Sequence, residues 1–200
     1  MILDACCGSR AFWFDKRHDS VVYIDNRQGE YWLKDMSKPK GGRWIVVGPD
    51  LVGDFTSLPF VDDAFSLVVF DPPHSLYAGK NSNTFKMYGT LRTGWEDVLK
   101  QGFSECFRVL KPTGTLVFKW NEMHVPVSKI IPLSPYAPLI GNRCGKAAKS
   151  HWIVFMKPDD WRGVDFRRRN QRNNPSPVDP FRTESLCTPF VDPQEAEGRP

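Results

Sequence analysis

Short apolar runs alternate with polar, glycine-containing segments along the first 157 residues. Each run has the length of a strand (roughly 4–8 residues) and is rich in β-branched or aromatic residues. The run at 65–71 is almost wholly apolar, which is typical of a strand covered on both faces. The runs that predict strands cover 1–5, 21–25, 50–55, 65–71, 115–120 and 151–157.

One segment has the spacing of a helix. Apolar residues recur at helical intervals from Trp95 to Leu110, and Pro112 and Gly114 then end the periodic stretch. Strands that alternate with crossover segments predict a Rossmann-like open α/β fold, a mostly parallel sheet with flanking helices.

The remaining segments are less regular. Residues 30–34 and 43–47 flank a proline and two glycines, so we predict an inserted hairpin there. The polar stretch 75–93 predicts a mobile loop. The proline-rich stretch 121–142 is compatible with a short helix followed by a short strand.

The amino-acid composition of the chain changes at residue 158. Residues 1–157 are predicted to form one domain, and residues 158–200 a basic, proline-rich tail that is mostly disordered. The tail contains Arg167, Arg168 and Arg169, which could contact phosphates or form a solvated charge run.

Composition excludes some classes of protein. The net charge of +4 permits a nucleic-acid partner without requiring one. The five cysteines form no C-x-x-C pair, so neither a zinc site nor a disulfide framework is predicted, and a reducing cytoplasm is the expected compartment. The sequence contains no signal-peptide pattern and no apolar run long enough to cross a membrane.

Acidic residues lie at the ends of four predicted strands: Asp4, Asp25, Asp54 and Asp71. In an open α/β sheet these ends line the ligand crevice. Gly8 follows the first strand, but the full dinucleotide fingerprint is absent, so a ligand without a pyrophosphate is favoured. The alternative is an ordinary turn beside solvated acids.

The segment Asp71-Pro72-Pro73-His74 is the sharper signal. An exocyclic amine on adenine or cytosine is a poor nucleophile because its lone pair is delocalised into the ring. A carboxylate and a proline carbonyl that accept its N–H groups favour a tetrahedral nitrogen, and prolines fix these groups in advance. A proline turn after a buried strand is the alternative.

These motifs, in this order, resemble class I S-adenosylmethionine-dependent methyltransferases. The Asp-Pro-Pro element is similar to the catalytic motif of amino-methyltransferases that act on adenine N6 or cytosine N4 of DNA. Together with the Cys6-Cys7-Gly8 turn and the last strand, it resembles small phage and prophage enzymes. The resemblance covers residues 1–157 and implies a bacterial or phage-infected host cytoplasm.

The resemblance also implies a role for individual residues. The methionine part of S-adenosylmethionine would lie against Asp4, Ala5, Cys6 and Gly8. Asp25 would bind its ribose, and Asp54 and the backbone of Phe55 its adenine. Asp71 would orient the target amine, and His74 would stack on a flipped base. The family's helix before the first strand has no counterpart, so we expect another segment to cover the cofactor.

The resulting prediction is methyl transfer to adenine N6 of DNA, without a metal. The segment 75–93 interleaves basic and aromatic residues, which suits an extruded base. They are Tyr77, Lys80, Phe85, Lys86, Tyr88 and Arg92. Two alternatives stay open: methylation of RNA, a protein or a small molecule, and a non-catalytic module that binds a nucleic acid or another partner.

Overall fold

The computed structural model describes residues 1–144 and 149–159. The strands are β1 (Ile2–Asp4), β2 (Val21–Asp25), β3 (Gly29–Lys34), β4 (Gly42–Val47), β5 (Leu51–Val52), β6 (Phe65–Phe70), β7 (Leu110–Asn121), β8 (Ile140–Cys144) and β9 (Ser150–Met156). The helices are α1 (Asn83–Tyr88), α2 (Trp95–Val109) and α3 (Val127–Ile130), which continues into a 3-10 turn at Ile131–Leu133.

Seven strands form one sheet in the order β5-β2-β1-β6-β7-β9-β8. The first five run parallel, and β9 is antiparallel to both β7 and β8. The predicted Rossmann-like α/β fold is confirmed. Because β1 and β6 are neighbours, the segments that follow Asp4 and Phe70 lie side by side at one edge of the sheet.

The main core lies between this sheet and α2. Leu99, Phe103 and Phe107 of α2 are fully buried, and Phe103 contacts the rings of Phe70 and Phe118. A Cβ at Gly102 would lie within 2.8 Å of Phe70. Glycine therefore lets the helix approach the sheet closely at Phe70, the last residue of β6.

Several connections differ from the prediction. Within the predicted mobile loop 75–93, residues 83–88 form α1, and Asn83 bonds it to β3, so a loop was the wrong interpretation of that part. The strand predicted at 50–55 is reduced to Leu51–Val52. Residues 5–20, all of which the structure describes, form turns between β1 and β2.

The β3–β4 hairpin is confirmed, as a two-stranded sheet of its own. The predicted disorder of 158–200 lies outside the described residues, apart from 158 and 159. Within the described ranges, every helix is too short or too polar to cross a bilayer.

Candidate active site

A cavity of about 620 Å³ opens at the carboxyl ends of the central strands. Its lining includes Ala5 after β1, Asp25 at the end of β2, Asp71 after β6 and Lys119 on β7. The volume lies within the range of roughly 300–1,000 Å³ that is usual for small-molecule sites. The crevice therefore lies where the acids at the strand ends predicted it.

The hairpin and α1 line the opposite side of this cavity. Ile45 of β4 and Phe85 of α1 contribute side chains. Asn83 ties the two elements together, because its Nδ2 donates to the Lys34 carbonyl at 2.6 Å and its Oδ1 accepts from the Lys34 N–H at 3.1 Å. These two elements therefore cover the cavity on the side away from the central strands.

Gly8 forms the turn after β1 as predicted. Its φ of +48° lies in the left-handed region that favours glycine, and its N–H donates to Asp25 Oδ2 at 2.9 Å. A Cβ there would lie 3.6 Å from the Met87 carbonyl. Ala5, Cys6 and Gly8 all line the cavity.

The sequence predicts that Asp4 contacts the methionine part of a cofactor, but Asp4 does not line the cavity. It is 2% exposed, accepts from Trp13 Nε1 at 2.8 Å, and has its other oxygen 3.3 Å from the Cys6 N–H. Burial raises the pKa of its carboxyl group to about 7. Asp4 therefore stabilises the turn after β1 through its contacts with Cys6 and Trp13.

The neighbouring thiols are not activated. Burial raises the pKa of Cys6 far above its usual range and that of Cys7 to about 12. Asp4 and Asp25 add to both shifts. Neither cysteine has the thiolate character that a nucleophile needs.

Asp25 lines the cavity, and Arg27 already binds its carboxylate. Oδ1 accepts from the Arg27 backbone N–H and Nε, and Oδ2 accepts from Arg27 Nη2 and the Gly8 N–H. These four donors use the roughly four acceptor positions of a carboxylate. Arg27 Nη1 also donates to the carbonyls of Phe85 and Lys86 in α1. A ribose hydroxyl could therefore reach Asp25 only by displacing one of these donors.

Of the two residues predicted to contact the cofactor after β5, one lines the cavity and the other does not. Phe55 lines the cavity and is buried. Asp54 is exposed outside the lining, where its Oδ1 accepts from the N–H and the hydroxyl of Thr56. Gly53, which the sequence analysis did not single out, does line the cavity.

Asp71 lies against the cavity between two donors. Lys119 Nζ is 3.2 Å from Oδ1 and 3.3 Å from Oδ2, and His74 Nε2 is 3.0 Å from Oδ1. The Asp71 side chain is mostly buried. Pro73 reaches the lining, and Pro72 is buried beside it. The carboxylate is thus fixed before any substrate binds.

His74 is buried rather than presented to a ligand. It is 8% exposed, and its ring lies edge-on to Trp120 at 5.0 Å. Its Nδ1 has no hydrogen-bond partner in the described part of the chain, so the proton belongs on the Nε2 that faces Asp71. Little of the ring is exposed for the predicted stacking on a flipped base, and its Nε2 is directed at Asp71.

Three cations that form no ion pair with a described residue reach the lining, although Arg43 interacts with Asp35 at longer range: Lys16, Arg43 and Arg92. Arg92 has a φ of +64°, a strained value for arginine that is common near functional sites. Of the aromatic residues expected in this segment, Phe85 and Tyr88 line the cavity.

The sequence analysis missed Arg27, Arg43, Lys16 and Lys119. Lys119 gave a signal, since it is a charged residue inside an otherwise apolar strand. In the described ranges, no group of three or more His, Cys, Asp or Glu residues could hold a metal ion.

Comparison with known proteins finds similarity only in structure. No protein-family model and no curated protein matches the sequence. The PH0226 protein from Pyrococcus horikoshii OT3 is 17% identical with a TM-score of 0.51, over 78% of this chain and 81% of that chain. The two share a fold.

Two further structures have lower scores. A protein from Methanosarcina mazei, described as an S-adenosylmethionine-dependent methyltransferase, is 14% identical with a TM-score of 0.48, over 78% of this chain and 92% of that chain. The 1,6-didemethyltoxoflavin-N1-methyltransferase of Burkholderia thailandensis, solved with S-adenosylhomocysteine, is 13% identical with a TM-score of 0.47, over 79% of this chain and 71% of that chain.

Proposed function

We propose that this chain is a class I S-adenosylmethionine-dependent methyltransferase that modifies an exocyclic amino nitrogen of a nucleic-acid base. One observation carries the proposal: the Asp71 carboxylate, immobilised by Lys119 and His74, lies on the same cavity as the Gly8 turn and Asp25. A binding module would have no need for a fixed carboxylate followed by two prolines.

The residues around the Gly8 turn fit the cofactor. Gly8 and Gly53 bring backbone to the cavity without side chains, while Ala5, Cys6 and Phe55 supply apolar surface. Asp25 would accept from a ribose hydroxyl once that hydroxyl displaces one of its present donors, the Gly8 N–H or Arg27. When bound, the cofactor supplies the methyl group as an electrophile.

The chain's own residues prepare the nucleophile. Asp71 accepts an N–H of the target amine, which favours the tetrahedral nitrogen and stabilises the positive charge that develops on it. Lys119 and His74 keep the carboxylate from rotating away. A group fixed in this way needs little reorganisation during the reaction.

The cations on the lining support a polyanionic substrate. Lys16, Arg43 and Arg92 surround the cavity and form no ion pair with a described residue. Phosphates are the natural partners of such groups. The substrate that we propose is DNA with adenine N6 as the target, because the Asp-Pro-Pro motif resembles that of DNA amino-methyltransferases; cytosine N4, RNA, proteins and small molecules come after it.

A two-part experiment tests the proposal. Calorimetry with S-adenosylmethionine measures cofactor binding, and methyl transfer from tritiated cofactor is then measured with duplex DNA, RNA and protein. We expect cofactor binding and label in adenine of DNA. Label in RNA or protein alone would change the substrate class. Binding of nucleic acid without cofactor binding or transfer would favour the non-catalytic module.

A further inference from the structure

The β3–β4 hairpin presents different side chains on its two faces. Arg43 and Ile45, on the inner face, line the cavity. Strand alternation places the directly paired Trp32 and Trp44 on the outer face. The outer face therefore lies next to the proposed active site but outside its cavity.

The tryptophan pair is held in place by local packing. The two rings lie 5.4 Å apart at 64°, an edge-to-face contact. The ring of Trp32 lies over Gly42, where a Cβ would come within 2.8 Å of it. Trp44 is 62% exposed beside it. A fixed ring thus supports an exposed one, with no described residue covering the exposed ring.

The charges around the pair are mainly positive. Residues 29–47 contain four basic and two acidic side chains. Lys34 shares the outer face, and Lys38 and Lys40 lie in the exposed turn; none of these lysines forms an ion pair with a described residue. Of the acids, Asp35 accepts from the backbone N–H and hydroxyl of Ser37 and interacts electrostatically with Lys38, and Glu30 is exposed on the same outer face, opposite Val46.

We propose that the outer face of the hairpin binds a nucleic-acid strand, with a base stacked on Trp44 and phosphates near Lys34, Lys38 and Lys40. An exposed aromatic ring beside three exposed lysines suits a strand that offers both flat bases and phosphates. A partner protein with an apolar patch would bury these lysines without partners. The inference extends the proposed function, since it gives the nucleic-acid substrate a second contact beside the cavity.

The test uses an oligonucleotide that cannot be a substrate. Thymine has no exocyclic amine, so binding of fluorescein-labelled oligothymidylate is independent of methyl transfer. Fluorescence anisotropy measures its affinity for the wild-type chain and for Trp44→Ala. Trp44→Ala should weaken binding by at least about five-fold, because it removes the binding free energy that one stacked base contributes. Trp44→Phe should restore most of the affinity, because it restores a ring.

Matched variants control for charge and surface changes. Lys34→Gln should reduce the slope of log affinity against log salt by about 0.7, the value for one phosphate contact on a single strand. Val61→Ala and Lys111→Gln change exposed residues elsewhere on the chain and should leave affinity and slope unchanged. Trp44 is exposed, so its replacement should not disturb folding, which circular dichroism verifies.

Two outcomes would overturn the inference. One is an equal affinity of Trp44→Ala and wild type for oligothymidylate, and the other is no binding by the wild-type chain. Calorimetry with S-adenosylmethionine on the same preparations keeps the two proposals separate. If cofactor binding and adenine methylation are intact in either case, the hairpin site is rejected while the proposed methyltransferase activity is retained.

Discussion

At the residue scale, the site centres on the Asp71 carboxylate, which contacts both Lys119 and His74. The motif in the sequence predicts Asp71, because an acid and two prolines directly follow a buried strand. It does not predict Lys119, which is 48 residues away and reaches Asp71 only because β6 and β7 pair. It also misplaces the ring of His74, because burial against Trp120 depends on tertiary packing.

His74 should act as a positioning residue. His74→Leu removes the donor to Asp71 Oδ1 and should lower the single-turnover rate about tenfold, with cofactor affinity and substrate KM unchanged. His74→Gln places an N–H close to the lost Nε2 and should recover most of the rate. A fall in substrate affinity alone, with the rate intact, would instead support a contact between His74 and the substrate.

The strand ends and the hairpin are predictable at the element scale, whereas α1 is not. Apolar runs and glycines mark the strands and the turn between β3 and β4. A six-residue helix is too short to be stable on its own propensity. Asn83 and Arg27 hold it through contacts with distant residues, and no local pattern reveals such contacts.

Asp25 joins the end of β2 to this covering layer through Arg27. Asp25→Ala should weaken binding of S-adenosylmethionine by about 1–3 kcal/mol, since it removes the carboxylate that a ribose hydroxyl would reach by displacing a donor and leaves Arg27 without this partner. Asp54→Ala, an exposed acid at the neighbouring strand end, should change it by less than about 0.5 kcal/mol. Calorimetry measures the cofactor affinity of both variants. A larger loss of affinity in Asp54→Ala than in Asp25→Ala would place the ribose near Asp54.

The fold class of the whole molecule is predictable because it depends on the order of elements. Strands alternating with crossovers specify a parallel sheet and the edge where ligands bind, whatever the individual contacts. The cover of the site is less predictable, because the position of the hairpin and α1 over the cavity depends on contacts such as that between Asn83 and Lys34. The turn between β1 and β2 places Trp13 against Asp4, and this hydrogen bond holds the Asp4 carboxylate away from the cavity.

Burial of Asp4 should show in the pH dependence of global stability. Its pKa is raised from 3.8 to about 7, so between these values the folded state holds a proton that the unfolded chain has released. The free energy of unfolding should therefore fall as pH rises through this window, by up to about 1.4 kcal/mol per pH unit.

Urea unfolding at several pH values measures this slope. Asp4→Asn should remove the contribution, so that the difference between wild type and variant changes across the window and is constant above it. Asp97→Asn, an exposed acid on α2, is the matched control. Parallel curves for wild type and Asp4→Asn would show that Asp4 is ionised in the folded chain.

Single-turnover methyl transfer by Asp71→Ala tests the assignment of the active site most directly. The reaction uses an adenine-containing duplex and tritiated S-adenosylmethionine, with cofactor affinity measured separately. Asp62→Ala, which removes an ion-paired carboxylate at the opposite end of β6, is the control. The rate of Asp71→Ala should fall roughly 10²–10³-fold with cofactor affinity nearly unchanged, as for other preorganised charge-stabilising groups. A wild-type rate in Asp71→Ala would contradict the assignment of this carboxylate as the catalytic group.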